Sequence, residues 1–134
     1  MSDEEIASVF ERLPSLINGD VPLVRRGRLL SETFLLEAGT VPVHVTVREG
    51  AITDVRVSPP PMQPWRFAIR AGGDAWRRFW QPVPLPGYHD ILAMTRFGHA
   101  KIEGDLQPLL ANLRYVKDVL AAPRRAGLEI DNAD

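Results

Sequence analysis

Val41-Pro42-Val43-His44-Val45-Thr46-Val47-Arg48 alternates four valines with proline, histidine, threonine and arginine. Successive side chains of a strand point to opposite faces, so this stretch predicts a strand with one buried and one wet face. The valines form the expected inner face; His44, Thr46 and Arg48 form the outer one. On either side, Ala38-Gly39-Thr40 and Glu49-Gly50 are turn signals short enough for antiparallel hairpins. They connect the segment to strands expected over 28–37 and 51–58, giving a three-strand meander.

Ahead of the meander, a helix is expected from Asp3 to Ile17. Ser2 and Glu5 have capping-box spacing. Ile6, Val9, Phe10, Leu13, Leu16 and Ile17 share one face. Pro14 should kink this helix or split off its last turn, and Asn18-Gly19-Asp20 ends it. Behind the meander, Ser58-Pro59-Pro60-Pro61-Met62-Gln63-Pro64 cannot join a ladder and predicts a stiff, extended loop. Trp65, Phe67, Ile69 and Ala71 then alternate as a fourth strand.

The second half turns helical. A short helix over 74–80, capped by Asp74, and another over 88–97, opened by Gly87, are separated by Pro82, Pro84 and Pro86. A strand over 99–103 follows. Gly104-Asp105 then starts a last helix through Leu120, with Asp105 as its cap and Pro108 harmlessly in its first turn. Its apolar stripe is Leu106, Leu109, Leu110, Leu113, Val116 and Leu120. The tail 123–134 is expected to be loosely held. This order predicts an α+β domain, residues 1–134, with a single five-stranded, mainly antiparallel sheet covered on one face by helices.

Composition narrows the function. The 134 residues contain no cysteine, which excludes disulfides, thiolate metal sites and a cysteine nucleophile. A net charge of −1 predicts no general attraction to nucleic acid or anionic membrane, and a pI near 6.3 argues further against nucleic acid as a partner. The acidic start Met-Ser-Asp-Glu-Glu is unlike a signal peptide, and the end Asp131-Asn132-Ala133-Asp134 carries no peroxisomal or lipid-anchor signal. A cytoplasmic location is therefore expected. His44, His89 and His99 lack metal-ligand spacing. His89-Asp90 is expected to face two ways on a helix. Ser8, Ser15, Ser31 and Ser58 stand in no nucleophile-elbow context. No catalytic residue, metal or cofactor is expected, and so no enzyme.

Two groups remain. Arg25, Arg26 and Arg28 cluster before the first strand; such clusters are ordinarily solvated surface, although arginine also grips carboxylate or phosphate at a cavity mouth. Trp76, Phe79 and Trp80, at i, i+3 and i+4, make one aromatic helix face. Such a stripe ordinarily closes a core. Its other use is to line a lipid cavity beside Ile91, Met94 and Phe97.

The succession from Trp65 to Leu120 resembles the sterol carrier protein type-two family of lipid-binding domains. It runs Trp-Arg-Phe-Ala-Ile-Arg-Ala, a helix opening near Asp74, a small helix ending in Phe97-Gly98, and His99-Ala100-Lys101-Ile102-Glu103-Gly104-Asp105 into the last helix. The resemblance covers about residues 25–121. The chain departs from the family pattern over 81–88, which is longer and richer in proline. The resemblance implies a sterol-carrier-like fold with an apolar tunnel between sheet and helices. It implies non-catalytic binding or transport of a fatty acyl, sterol-like or isoprenoid lipid, in a pocket lined by Trp76, Phe79, Trp80, Ile91, Met94 and Phe97. The expected partner is thus a hydrophobic small molecule, with a lipid-metabolic enzyme or a transient membrane contact as further partners. The competing expectation is a filled-core interaction module that assists a lipid-metabolic enzyme by contact. A closed core would have the Trp76 face touching the sheet; a carrier would leave a void.

Overall fold

The computed structural model describes residues 1–130; residues 131–134, the end of the predicted tail, lie outside them. The chain opens with helices α1 (Asp3–Glu11), α2 (Leu13–Ile17) and α3 (Val21–Arg26). The meander follows as β1 (Glu32–Ala38), β2 (Val41–Arg48) and β3 (Ala51–Val57). Then come β4 (Phe67–Ala71), α4 (Gly73–Phe79), α5 (Ile91–Arg96), β5 (Ala100–Gly104), α6 (Gln107–Ala111), α7 (Leu113–Leu120) and α8 (Ala122–Arg125).

The five strands form one sheet in the order β3-β2-β1-β4-β5. Three pairings are antiparallel, and β1 pairs with β4 in parallel. Val57, Val43, Leu36, Ile69 and Ile102 are cross-strand partners in one unbroken apolar row across all five strands. All four β2 valines are buried, as the alternation predicts. The outer row in the neighbouring register is Arg56, His44, Leu35, Ala68 and Glu103. A register shift between Thr46 and Val47 lets both Val55 and Ile52 face inward, although their spacing breaks strict alternation.

The link from β3 to β4 starts at one end of the sheet and finishes at the other, because β4 runs parallel to β1. The proline-rich stretch 58–66 must therefore cross the sheet. The inner face is occupied by helices, and Leu35 and Ala68 are buried on the outer face, which marks its path. Trp65, at the end of the crossing, has the Arg70 guanidinium 5.6 Å from its ring centre.

Side chains tie the first helices to the meander. Ser2 caps α1 in a full capping box with Glu5. Pro14 does split the helix, with α2 restarting after Arg12. Asp3 accepts bonds from the Thr40 backbone N–H and hydroxyl at the β1–β2 turn, both 3.1 Å. Asn18 clasps the start of β3: its side-chain amide donates to the Ile52 carbonyl and accepts from the Ile52 N–H, both at 2.9 Å.

Several sequence expectations are corrected. Asp20 caps an unforeseen α3 by accepting from the Leu23 N–H, so the first strand begins at Glu32 rather than residue 28. The last helix is broken at Asn112, which leaves Leu110 exposed and buries Tyr115 instead. Asp105 is not the cap of α6, a place held by Leu106, but its carboxylate accepts the N–H of Gln107, the first residue of that helix, at 3.1 Å. Asp74 does not cap α4; Gly72 holds that position, and Asp74 instead binds Arg77 and Arg78 within the helix. On the outer face, Glu103 pairs with Arg70 at 3.4 Å. No helix among the described residues is long and apolar enough to cross a membrane.

Two measurements test this account. Asn18→Ala removes both bonds to Ile52 at a partly buried site and should cost about 1–3 kcal/mol in urea unfolding. Burial, and then the Arg56 guanidinium, hold His44 below the ordinary value of 6.5. Below pH 6.5 the unfolded chain takes up this proton more readily, so the contribution is complete above that value and shrinks as pH falls. The urea midpoint of wild type should therefore drop between neutral and mildly acidic pH more than that of His44→Gln.

Candidate functional site

The inner face of the sheet needs an apolar cover, and α4 supplies its bulkiest part. Trp76, Phe79 and Trp80 are all buried, as the helical spacing predicts. Phe10 of α1 meets Trp76 at 5.0 Å between ring centres and Trp80 at 5.4 Å, both edge-on. Trp76 and Trp80 stack at 5.7 Å, and Phe79 lies 5.8 Å from Trp76. Edge-on and offset contacts of this kind suit the charge distribution of aromatic rings.

Two polar tethers fix the cluster. The Trp76 indole N–H donates to the Glu37 carbonyl of β1 at 2.9 Å. The Trp80 indole N–H donates to the Leu120 carbonyl at the end of α7, also at 2.9 Å. The Trp76 face therefore touches the sheet.

α5 contributes Ile91 and Met94, both fully buried in the same apolar cluster. Phe97 does not join them. It follows the last turn of α5 and is 60% exposed. Its spacing from Ile91 and Met94 continues the stripe, but the helix ends at Arg96. The helix is also shorter than expected: Asp90 is its cap, accepting from the Ala93 N–H at 2.8 Å and pairing with Lys117 at 3.2 Å. His89 and Asp90 therefore precede the helix and are not part of it.

The tail is partly docked. In α8, Ala122 and Pro123 are buried. The Arg124 guanidinium lies 4.8 Å from the centre of the Phe79 ring, and its Nε donates to the Phe79 carbonyl at 2.9 Å. An arginine with an apolar stem and a delocalised charge suits this half-buried position. Burial, followed by the neighbouring Arg125, holds its pKa below the ordinary arginine value.

No charged or strongly polar side chain is buried among the described residues, and the layer beneath α4 and α5 is apolar apart from the two indole N–H groups bonded to backbone carbonyls. No group of three or more metal-ligating side chains is gathered among them either. The rings meet each other, so a ligand in this layer has to part α4 and α5 from the sheet. Those helices have seven and six residues and are marginal without packing. Elements of this kind are the ones that open at low cost.

A second feature had only a partial sequence signal. α3 and the β2–β3 turn border a cavity of about 570 Å³, lined by Val21, Val24, Arg25, Arg28 and Leu29 among others. Arg25 and Arg28 are two members of the predicted basic cluster; the third, Arg26, is paired with Asp118. An apolar lining beside two guanidinium groups suits an amphiphile with an anionic head. The packing that holds α3 needs two glycines. A Cβ at Gly27 would fall 2.4 Å from the Tyr115 ring, and one at Gly50 would fall 2.1 Å from the Val24 carbonyl oxygen. The Tyr115 hydroxyl donates to the Gly50 carbonyl at 2.6 Å, and burial pushes its pKa up. Asp20 followed by Pro22 was the available sign of α3, a cap and then a proline in the first turn.

With this geometry in place, the fold can be compared with known proteins. No protein-family profile matches the sequence, and no curated protein matches it. Solved structures do match. The crystal structure of sterol carrier protein 2 superposes with a TM-score of 0.67 at 14% identity, over 90% of this chain and 94% of that one. A structure titled UbiJ-SCP2 ubiquinone synthesis protein gives 0.54 at 17% identity, over 88% and 94%. The solution structure of a conserved hypothetical protein from Thermus thermophilus, described as possibly a sterol carrier protein, gives 0.57 at 12% identity, over 82% and 80%. The chain has the sterol-carrier-protein-2 fold over nearly its whole described length, as its sequence resemblance implies.

If the two indole tethers hold the aromatic layer, Trp80→Phe should leave the Leu120 carbonyl buried without its donor. The expected loss is about 1–3 kcal/mol in urea unfolding. Trp80→Phe keeps most of the ring volume, so a loss near zero would mean that packing alone positions α4.

Proposed function

We propose that this chain binds and carries a hydrophobic ligand without transforming it. The ligand class is a fatty acyl, sterol-like or isoprenoid lipid. Its place is the apolar layer between the sheet and α4 and α5, where Trp76, Phe79, Trp80, Ile91 and Met94 lie, with the exposed Phe97 at the rim. The observation that carries this reading is the sterol-carrier-protein-2 fold combined with an apolar inner layer whose indole N–H groups are already bonded to backbone carbonyls. Apolar burial stabilises a bound chain by roughly 0.8 kcal/mol per methylene, so a long lipid needs no specific hydrogen bond there. The packed rings are then the ligand-free arrangement, with α4 and α5 as the lid.

The ring contacts favour a second reading, a filled-core module that assists a lipid-metabolic enzyme by surface contact. Trp76 is bonded to β1 and touches Phe10, Phe79 and Trp80, which is what a permanently closed core requires. The two readings differ in what lipid does to the rings.

Native mass spectrometry of the purified chain, followed by organic extraction, should reveal a co-purifying lipid. Added long-chain fatty acid should displace a fluorescent analogue and change the intrinsic tryptophan emission, because Trp76 and Trp80 are sealed from water until the lid opens. A chain that binds nothing from a broad lipid panel, with its tryptophan emission unmoved, belongs to the second reading. Phe79→Asp should abolish lipid binding by placing a carboxylate in an apolar layer; its circular dichroism must match wild type for the result to count.

A further inference from the structure

The two edges of the sheet differ in how they are protected. β3, at one end of the strand order, carries a bulge opposite Thr46, has the backbone of Ile52 occupied by Asn18, and runs into three consecutive prolines after Ser58. Bulges, prolines and covered backbone groups keep an edge from pairing with another chain. β5, at the other end, has none of these. Its register with β4 is unbroken, it contains no proline, and no strand lies beyond it among the described residues.

The ladder fixes which β5 groups are open. The Gly39 N–H bonds to the Ala71 carbonyl and the Asp105 N–H to the Arg66 carbonyl, each at 2.9 Å. Ala71 and, by alternation, Ile69 and Phe67 therefore turn to β1, while Ala68 and Arg70 turn to β5. Their partners Glu103 and Lys101 bond to β4, and Ala100, Ile102 and Gly104 are left turned outward. Ile102 lies on the inner face of the sheet. Lys101 and Glu103 lie on the outer face; Lys101 is exposed and enters no ion pair among the described residues.

Such an edge can pair antiparallel with a second copy of itself about a two-fold axis. Three registers bring the outward groups together. Centring on Lys101 sets Lys101 opposite Lys101, and centring on Glu103 sets Glu103 opposite Glu103; both place like charges face to face. Centring on Ile102 sets each Lys101 opposite Glu103 of the other copy, twice by symmetry. It also sets Ala100 opposite Gly104, two small residues, and carries the apolar row that ends at Ile102 across the axis. The Phe97 end of one strand then lies beside the Leu106 end of the other, and Phe97, Leu106 and Leu110 are exposed.

We propose that β5 is a dimerisation edge: two copies join antiparallel through β5, with the two-fold axis at Ile102 and reciprocal Lys101–Glu103 pairs, into one continuous sheet. The pairing does not depend on whether the inner layer takes a lipid. Strands of five residues bury less than a standard interface, so the dimer is reversible and grows with concentration.

The test is sedimentation equilibrium of the full chain over a range of concentrations. Wild type should pass reversibly from monomer to dimer. Lys101→Glu and Glu103→Lys each place like charges opposite one another, and each should weaken dimerisation by about tenfold or more with circular dichroism unchanged. Mixing the two variants restores opposite charges at both positions, so the mixture should form a heterodimer about as tightly as wild type dimerises. Ile102→Cys gives a readout that does not depend on charge. The chain has no cysteine of its own, and residues paired across the axis stand about 5.5 Å apart between Cα atoms, within disulfide range. Mild oxidation should therefore crosslink this variant to itself. A wild type that stays monomeric throughout overturns the proposal. So does a dimer that neither charge reversal weakens, which assigns self-association to another surface, or a mixture of the two variants that remains monomeric.

Discussion

A single sheet with one apolar face must be covered, and this chain covers it with short helices. The row from Val57 through Val43, Leu36 and Ile69 to Ile102 spans the full width of the sheet. Among the described residues, no helix exceeds the nine residues of α1. Helices of this length are marginal in water, so each depends on the sheet, and the sheet depends on them to keep its inner face dry. Side chains that pin helix to strand therefore matter more here than helix propensity. Asp3 on Thr40, Asn18 on Ile52, Tyr115 on Gly50 and Trp76 on Glu37 each join one layer to the other.

The strands were legible because period-two alternation is a strong local signal and is paired with short turns. The Val41–Arg48 stretch settled the position of the sheet, and its neighbours followed in order. Most helices were legible by existence but less so by extent, and α3 and α8 were not foreseen. Apolar spacing runs on through Arg12 and Asn112, although the backbone breaks at both; Pro14 announces the first break, and nothing in the spacing reveals the second. Asp74 looked like a cap because a carboxylate stood at the right place, yet the two arginines that follow it offered stronger partners. The inward turn of Ile52 depends on a bulge, which is set by pairing with β2 and is invisible along one strand.

The candidate site divides the same way. Periodicity found Trp76, Phe79, Trp80, Ile91 and Met94, since residues sharing a helical face share a fate. Phe97 obeyed the same spacing but fell beyond the helix end, where the stripe loses its direction. The contact of Arg124 with the backbone of Phe79 spans 45 residues, and no motif encodes it. What periodicity cannot decide is whether a row of rings faces neighbours or a ligand. In this structure they face neighbours.

The parallel pairing of β1 with β4 has a consequence for how the chain reaches this structure during synthesis. β1, β2 and β3 are contiguous and pair locally, whereas β1 meets β4 only after the remainder of the meander and the proline crossing have been made. Non-local parallel pairing is slow, and an unpaired strand edge is a template for association with other chains. Until β4 emerges, β1 leaves Leu35 to Ala38 on an open edge that is central in the finished sheet. A nascent chain that pauses before Phe67 is thus the species most exposed to misassembly, and the stiff crossing that delivers β4 also shortens the search that ends this exposure.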